Sequence, residues 1–446
     1  MITALGLFIA CAVCWNLHWH KTSMVFGALA VLFLILRFSF RTKKPDSHGS
    51  AHWGTAKIAA RNDCLSKIDA PQDGLALGRM EKDVPAGFNP RYRIVREYLK
   101  HVLTCAPTGS GKGIGCAIPN LLEYPGSVFC LDVKGENFAV TARRRRELGQ
   151  VHVLDPFRVT GPLSASVNPL SRIDVDSPEC VSDSASLADS LVIRGGGEET
   201  HWDDTAASFL QGILLYVAAL PESERHLGTL RQILTQPESS LAALLKELSQ
   251  DEETAHGMIA RCANMFLGKA DRERSGVLST AQRHTAFLDD PRVVETLKSS
   301  DLDFQTLKTE VQTVFLVMPP DKLKAYSRYS RLVLGMALKA MTKTQGLPEH
   351  PVVFMLDEFA QLGHFAPAEE ALSILRGYGG CLWVMVQDLS QLQAVYPRWR
   401  SFLANTVLQA FGTQDFDTAK YLSDALGMQT VEFWAQSTGK SSSSPA

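Results

Sequence analysis

The chain has 446 residues, of which 45% are hydrophobic and 21% charged, and its formal net charge at pH 7 is -2. These values exclude a disordered polyelectrolyte and a surface that is basic throughout, and the length allows two or three domains. Nine cysteines are scattered along the chain. Because several of them lie inside apolar runs, we expect small buried side chains in a reducing compartment.

The first 44 residues differ most in composition from the rest. Residues 2–17 and 24–36 are almost continuously apolar and are separated by a short polar break that contains Lys21. The pattern predicts a transmembrane hairpin at 1–44. Four basic residues follow the second run, so the positive-inside bias places the remainder in the cytoplasm. A cleaved signal sequence or a buried core hairpin is the alternative.

Residues 45–99 carry glycine, proline and charge without a sustained period and are interpreted as a juxtamembrane linker. From residue 100 onward, short apolar runs alternate with helix-like segments, which predicts an α/β fold with a mostly parallel sheet. Ligands of such sheets lie at the carboxyl ends of the strands. The predicted strands are Val102–Cys105, Val128–Leu131, Val151–Leu154, Val311–Val317, Val352–Leu356, Leu382–Val386 and Val407–Phe411.

One interval breaks the alternation, because residues 182–302 contain no convincing strand. Apolar residues recur there at helical spacing after Asp203 and Asp204, which suit a helix N-cap. We therefore predict an all-helical inserted domain at 182–302 that divides the α/β domain into a first part, 100–181, and a second part, 303–436. A flexible tail is predicted at 437–446.

A glycine-rich segment, residues 106–113, follows the first predicted cytoplasmic strand. Its glycines let backbone N–H groups point at phosphates, and the helix N-terminus that follows adds partial positive charge. Two residues depart from the usual pattern of a phosphate loop. Ala106 stands where a glycine is usual, and Gly113 stands where a serine or threonine hydroxyl usually binds Mg²⁺. The predicted nucleotide-binding residues are Thr108, Gly109, Ser110, Gly111, Lys112 and Gly113.

A second motif follows the apolar run Val352–Leu356, where Asp357 and Glu358 stand side by side. If this strand lies beside the phosphate-loop strand, Asp357 reaches the Mg²⁺ ion and Glu358 the attacking water. The alternative is a solvated pair of acids at a helix N-terminus. Together the two motifs predict a site that hydrolyses ATP with Mg²⁺, in which Lys112 and Glu358 are catalytic.

Several ordered motifs give the chain a wider resemblance. It resembles type IV secretion system coupling proteins of the TraG type, which are ATPases of conjugative DNA transfer. The motifs are the phosphate loop, Leu131–Asn137, Leu154–Phe157, Asn168–Leu170, Leu356–Gly363 and Arg376–Gly379. The likeness covers most of the chain, and the glycine at position 113 is usual for this branch.

The resemblance implies an inner-membrane, multi-pass ATPase with a RecA-like P-loop NTPase domain and an all-helical domain, assembled as a homo-hexamer. Its implied partners are single-stranded DNA with bound relaxase, the type IV secretion channel components and the membrane. Members of this family generally continue into a last piece of the nucleotide domain, so we expect a truncated or variant form.

Two further residues are weighed under this resemblance. Arg376 lies in a glycine-flanked turn and is a candidate arginine finger that reaches a neighbour's nucleotide; the alternative is a structural ion pair. Gln387 ends a predicted strand and is a candidate sensor of the γ-phosphate, or a plain strand-terminal residue. The basic run Arg143–Arg146 fans around a helix, which favours a solvated helix end over a surface that follows DNA phosphates.

The leading hypothesis is a coupling protein that recruits a relaxase–single-stranded DNA substrate to a type IV secretion channel and drives its transfer during conjugation. Two alternatives stay open: an ATPase that secretes protein effectors, and a non-hydrolysing membrane scaffold that docks partners.

Overall fold

The computed structural model describes residues 74–80, 93–97, 100–194 and 199–427. The predicted hairpin at 1–44 and the predicted tail at 437–446 lie outside these ranges. Within them, no helix combines the length and the hydropathy needed to cross a bilayer.

The described strands form two sheets. An antiparallel pair consists of β1 (Leu75–Met80) and β2 (Arg93–Glu97). The strands of the second sheet are β3 (His101–Cys105), β4 (Val128–Asp132), β5 (Gln150–Leu154), β6 (Gln312–Val317), β7 (Val352–Leu356), β8 (Gly380–Val386) and β9 (Thr406–Ala410).

The second sheet is parallel throughout and has the order β5-β6-β4-β7-β8-β3-β9. All seven predicted strands are confirmed, with bounds that differ by two residues or fewer. Five of them, β3, β4, β6, β7 and β8, bury every residue. Helices cover both faces of such a sheet, which explains why these strands read as continuous apolar runs and not as alternating ones.

The helices fall between the strands. They are α1 (Ile118–Glu123), α2 (Glu136–Leu148), α3 (Cys180–Leu191), α4 (Glu199–Ala219), α5 (Leu227–Thr235), α6 (Glu238–Leu248), α7 (Met258–Leu267), α8 (Asp271–Thr285), α9 (Pro291–Glu295), α10 (Pro320–Leu323), α11 (Ser327–Lys343), α12 (Ala366–Ile374), α13 (Leu389–Val395), α14 (Arg400–Asn405) and α15 (Phe416–Leu426).

Helices α3 to α9 follow β5 and precede β6, and the described residues of this stretch contain no strand. Helix α4 is their centre, since its apolar stripe is 3% exposed or less and packs in the core. The expected N-cap at Asp203 and Asp204 is wrong, because α4 begins at Glu199. Asp203 is instead fully buried and accepts a hydrogen bond from Nε2 of His284 (2.8 Å) and one from Arg283 (3.2 Å).

The pair β1–β2 lies inside the stretch that was interpreted as a linker, and sequence reasoning did not find it. Asn120 on α1 acts as a backbone substitute for β1. Its Oδ1 accepts from the Ala76 N–H (2.7 Å) and its Nδ2 donates to the Ala76 carbonyl (2.9 Å). The pairing of β1 with β2 is irregular between Ala76 and Gly78, and these two short strands leave no sustained alternating pattern to read from the sequence.

The basic run on α2 is divided by burial. Arg145 is fully buried, and its guanidinium donates to the hydroxyl of Thr313 (2.6 Å) and to the carbonyls of Tyr124 and Gly126. Burial lowers the pKa of Arg145 to about 10, so it stays charged at neutral pH. The other three arginines of the run are exposed. The run therefore does not form one continuous basic face.

Candidate nucleotide site

The phosphate loop, residues 106–113, leaves the carboxyl end of β3 and leads into a short π-helix, Gly113–Ala117. Gly109 has φ +79° and Gly111 has φ +93°, a left-handed region that strains any L side chain. A Cβ at either glycine would meet no atom within 4 Å. Conformation, not crowding, therefore requires glycine at both positions, and the space next to the loop is open.

Side chains of the loop support its turn. The hydroxyl of Ser110 donates to the Pro107 carbonyl (2.6 Å), and the Ser110 N–H donates to the same carbonyl (3.2 Å). Thr108 is exposed at the loop tip. Gly113 begins the π-helix and, like Gly109 and Gly111, has open space around its Cα.

Lys112 is 9% exposed and points back along the loop. Its Nζ donates to the Ala106 carbonyl (2.9 Å) and lies 3.6 Å from Oε1 of Glu358. The phosphate-loop ammonium and the acid pair, predicted from sequence segments far apart, therefore meet at one edge of the sheet.

The two strands that carry these groups are not neighbours. Asp357 and Glu358 follow β7, which pairs with β4 and β8, whereas β3 pairs with β8 and β9. The expectation that the acid-bearing strand lies beside the phosphate-loop strand is wrong, since β8 separates them. Strand order arises from packing between distant segments, which neither motif encodes.

Glu358 has an unusual backbone. Its φ of 48° and ψ of 37° are left-handed, which costs a non-glycine residue roughly 1–2 kcal/mol. The Glu358 N–H donates to Oδ1 of Asp357 (3.0 Å), and the Glu358 carbonyl accepts from the Gln361 N–H (2.9 Å). Such strain persists only where the surroundings fix the conformation, and it is common at functional sites.

The carboxyl edge collects negative charge. Burial raises the pKa of Asp357, and the neighbouring carboxylate of Glu358 raises it further, while Lys112 opposes both effects. Burial also raises the pKa of Asp132, at the end of β4, although the Phe138 N–H donates to its Oδ2 (2.9 Å). Carboxylate oxygens are the ligands that Mg²⁺ prefers, but within the described ranges no three or more His, Cys, Asp or Glu side chains are arranged to hold a metal ion.

Gln387 follows β8, the strand that separates the two motifs. Its Nε2 lies 3.1 Å from Oε2 and 3.4 Å from Oε1 of Glu358. The Gln387 N–H donates to Oε1 of Gln391 (3.1 Å), a contact that sequence reasoning missed. The i,i+4 spacing after a strand end was the available signal. Gln387 thus fixes the orientation of the Glu358 carboxylate.

Arg376 is the one predicted site residue that this fold does not bring to the others. It is exposed and precedes the amino end of β8, whereas the site lies at the carboxyl end. Seven strand residues correspond to roughly 20 Å. Its charge contributes, after burial, to lowering the pKa of His101 at the amino end of β3 to about 4. Among the described residues Arg376 has no ion-pair partner.

Comparisons with known proteins identify the family of the chain. The sequence model of the family "Type IV secretory system Conjugative DNA transfer" matches residues 62–445. Conjugal transfer protein TraG of Escherichia coli is 29% identical over 74% of this chain and 56% of its own length. Protein VirD4 of Rhizobium radiobacter is 30% identical over 96% of this chain and 62% of its own length.

The fold is shared with the solved structure of plasmid coupling protein TrwB in complex with ADP and Mg2+. The TM-score is 0.60 at 18% identity, covering 75% of this chain and 77% of that one. This likeness and the parallel sheet support a RecA-like fold. The chain spans about three fifths of the length of the curated relatives it matches. Family model, relatives and fold agree, and the chain belongs to the type IV secretion family of conjugative DNA transfer proteins.

Proposed function

We propose that this chain is an ATPase coupling protein that recruits single-stranded DNA with bound relaxase to a type IV secretion channel and drives its transfer during conjugation. The observation that carries the proposal is the 3.6 Å separation between Nζ of Lys112 and Oε1 of Glu358. Family membership supports the conjugative role, and the TrwB complex supports a nucleotide and Mg²⁺ as ligands.

The residues present fit ATP and Mg²⁺. The left-handed glycines at 109 and 111 leave open space beside the phosphate loop, which a chain of phosphates can enter. Thr108, Ser110 and Gly113 complete the loop, whose backbone N–H groups would hold the phosphates. Asp357 would hold the cation, since Mg²⁺ prefers oxygen ligands and Gly113 has no hydroxyl to offer.

Each polar group then has one chemical role. Bound ATP would supply the phosphoryl group, and Mg²⁺ would neutralise the charge that develops on it. Lys112 would exchange its contact with Glu358 for the β and γ phosphates. Glu358 would orient a water and accept its proton, while Nε2 of Gln387 holds the carboxylate in place.

Arg376 is too far from the site of its own subunit to act there. We therefore assign it to a neighbouring subunit's nucleotide in a homo-hexamer, where a guanidinium stabilises phosphoryl charge. Residues 1–44 would anchor the protein in the inner membrane as a two-pass hairpin, with the nucleotide site in the cytoplasm.

The test is ATP turnover of the purified protein with and without single-stranded DNA. DNA is expected to raise turnover, and Glu358→Gln is expected to lower it about a hundredfold or more, in line with the loss of a general base. The matched control is Glu349→Gln, which removes an exposed carboxylate that precedes the amino end of β7.

Other outcomes would favour the alternatives. Stimulation of turnover by protein substrates but not by DNA would indicate secretion of protein effectors. Conjugative transfer that survives Glu358→Gln would indicate a non-hydrolysing scaffold.

A further inference from the structure

The acidic segment, residues 357–365, runs from Asp357 through a short 3₁₀ helix, Phe359–Leu362, to Phe365. Helix α11 packs against this segment. The guanidinium of Arg331 on α11 faces this segment. Its Nη1 donates to the carbonyl of His364 and lies 3.4 Å from the carbonyl of Leu362.

Arg331 is 5% exposed and makes no ion pair among the described residues. Its guanidinium carbon lies 5.2 Å from the centre of the Phe365 ring. A buried cation held only by carbonyls and a ring is costly, because desolvation is not offset by an opposite charge. The carbonyl contacts with the acidic segment are thus the hydrogen bonds of this buried guanidinium among the described residues.

The contacts of Arg331 lie only a few residues after Glu358. The left-handed backbone of Glu358 persists only in rigid surroundings, and the 3₁₀ helix Phe359–Leu362 follows it directly. The Gly363 N–H donates to the Ala360 carbonyl (3.2 Å), and Phe359 stacks on Tyr396 at 5.5 Å. With the Leu362 and His364 carbonyls held by Arg331, the 3₁₀ helix has fixed contacts at both of its ends.

Helix α11 is itself held by the helical insertion. Lys339 and Lys343 pair with Asp183 on α3 at 3.1 and 2.5 Å. One turn before Arg331, Nη2 of Arg328 lies 3.3 Å from Nδ1 of His284 on α8. Helix α11, which carries Arg331, thus contacts the insertion through Lys339, Lys343 and Arg328, while Arg331 contacts the acidic segment.

We propose that Arg331 is a positioning residue for Glu358: by binding the Leu362 and His364 carbonyls, it holds the acidic segment in the conformation that aims the Glu358 carboxylate at the phosphate loop. This inference rests on the proposed ATPase function.

The test compares Arg331→Met and Arg331→Lys in two backgrounds. In the natural background, Arg331→Met is expected to lower kcat about tenfold, because misplacing a catalytic group by about 1 Å lowers the rate by up to about a hundredfold. The Kd for ATP is expected to change less than about twofold. Arg331→Lys restores part of the loss because it keeps one cationic donor. In a Glu358→Gln background, Arg331→Met changes the residual turnover less than about twofold.

A second measurement uses the protein without nucleotide. Amide hydrogen exchange of residues 359–364 is expected to be about tenfold faster in Arg331→Met, and unchanged in Arg231→Met. Arg231 is a matched control, because it donates to Gln282, Thr285 and Asp289 within the helical insertion and does not contact the acidic segment.

The outcomes separate the two proposals. An equal loss of kcat in both backgrounds, or unchanged exchange at 359–364, overturns the role of Arg331. If the natural protein has no turnover that depends on Glu358, the ATPase proposal fails, and the exchange measurement still decides whether Arg331 fixes the segment. If Arg331→Met does not fold, Arg331→Lys carries both measurements.

Discussion

The phosphate loop and the acidic segment face each other at one edge of the sheet, yet different forces hold them. The loop is shaped by its own backbone: two left-handed glycines and hydrogen bonds between residues three to six positions apart. The acidic segment is shaped from outside, by Arg331, by Gln387 and by a buried aromatic cluster around Phe359. A site can therefore combine a part that local sequence determines with a part that tertiary contacts determine.

The largest effect on turnover is expected at Lys112, where the phosphate loop contacts Glu358 of the acidic segment. Lys112→Ala removes the ammonium, and turnover should fall by about 10²–10³-fold, as when one preorganised group that stabilises transition-state charge is lost. Turnover and nucleotide affinity by calorimetry measure it. Lys246→Ala, which removes an exposed lysine of α6 in the helical insertion, is the control. A loss of less than tenfold would mean that the loop does not depend on this charge.

The local part can be tested alone with Gly111→Ala. Since φ is +93° with open space around it, the cost is backbone strain of about 1–2 kcal/mol. We expect nucleotide affinity to fall about tenfold while the acidic segment keeps its hydrogen exchange. Gly115→Ala, which also meets no atom and has ordinary φ, serves as comparison. Equal effects of the two substitutions would contradict the conformational explanation.

The externally held part carries strain that a substitution can release. The free energy of unfolding of Glu358→Gly should be up to about 1 kcal/mol higher than that of Glu358→Ala, because glycine adopts φ +48° without the strain of about 1–2 kcal/mol, which outweighs its larger loss of backbone entropy, about 0.5–1 kcal/mol. Both variants lose the carboxylate, so the difference isolates the backbone. Chemical denaturation measures it, and equal stabilities would show that Glu358 is not strained.

The smallest expected effect is on stability and concerns the charge of Asp132 at the carboxyl end of β4. Burial raises the pKa of Asp132 above 3.8 in the folded state, so its ionised form destabilises the fold. Asp132→Asn should therefore raise stability at pH 7, and the gain should vanish as pH falls through the raised pKa to below 3.8. Thermal unfolding between pH 3 and 8 checks this. A gain that persists at low pH would point to packing and not to ionisation.

The same division explains what could be predicted from sequence. The seven strands and the phosphate loop were found because apolar runs and glycine spacing are local signals. The order of β3, β8 and β7 was not, because strand order depends on how helices pack on both faces. Arg331 was missed since a buried arginine whose partners are carbonyls has no motif. Asp203 was assigned to a cap because its partner His284 is encoded far downstream.

Strand β8 sets the width of the site. Neighbouring strands lie about 4.8 Å apart, so the ends of β3 and β7 are separated by roughly twice that distance. This span is fixed by backbone hydrogen bonds below the loops, not by the side chains within them. Changes in either loop can alter which groups face the ligand, but the distance between the carboxyl ends of β3 and β7 stays constant. To change the ligand preference of this fold, one should therefore keep β3, β8 and β7 and vary only the loops that follow them.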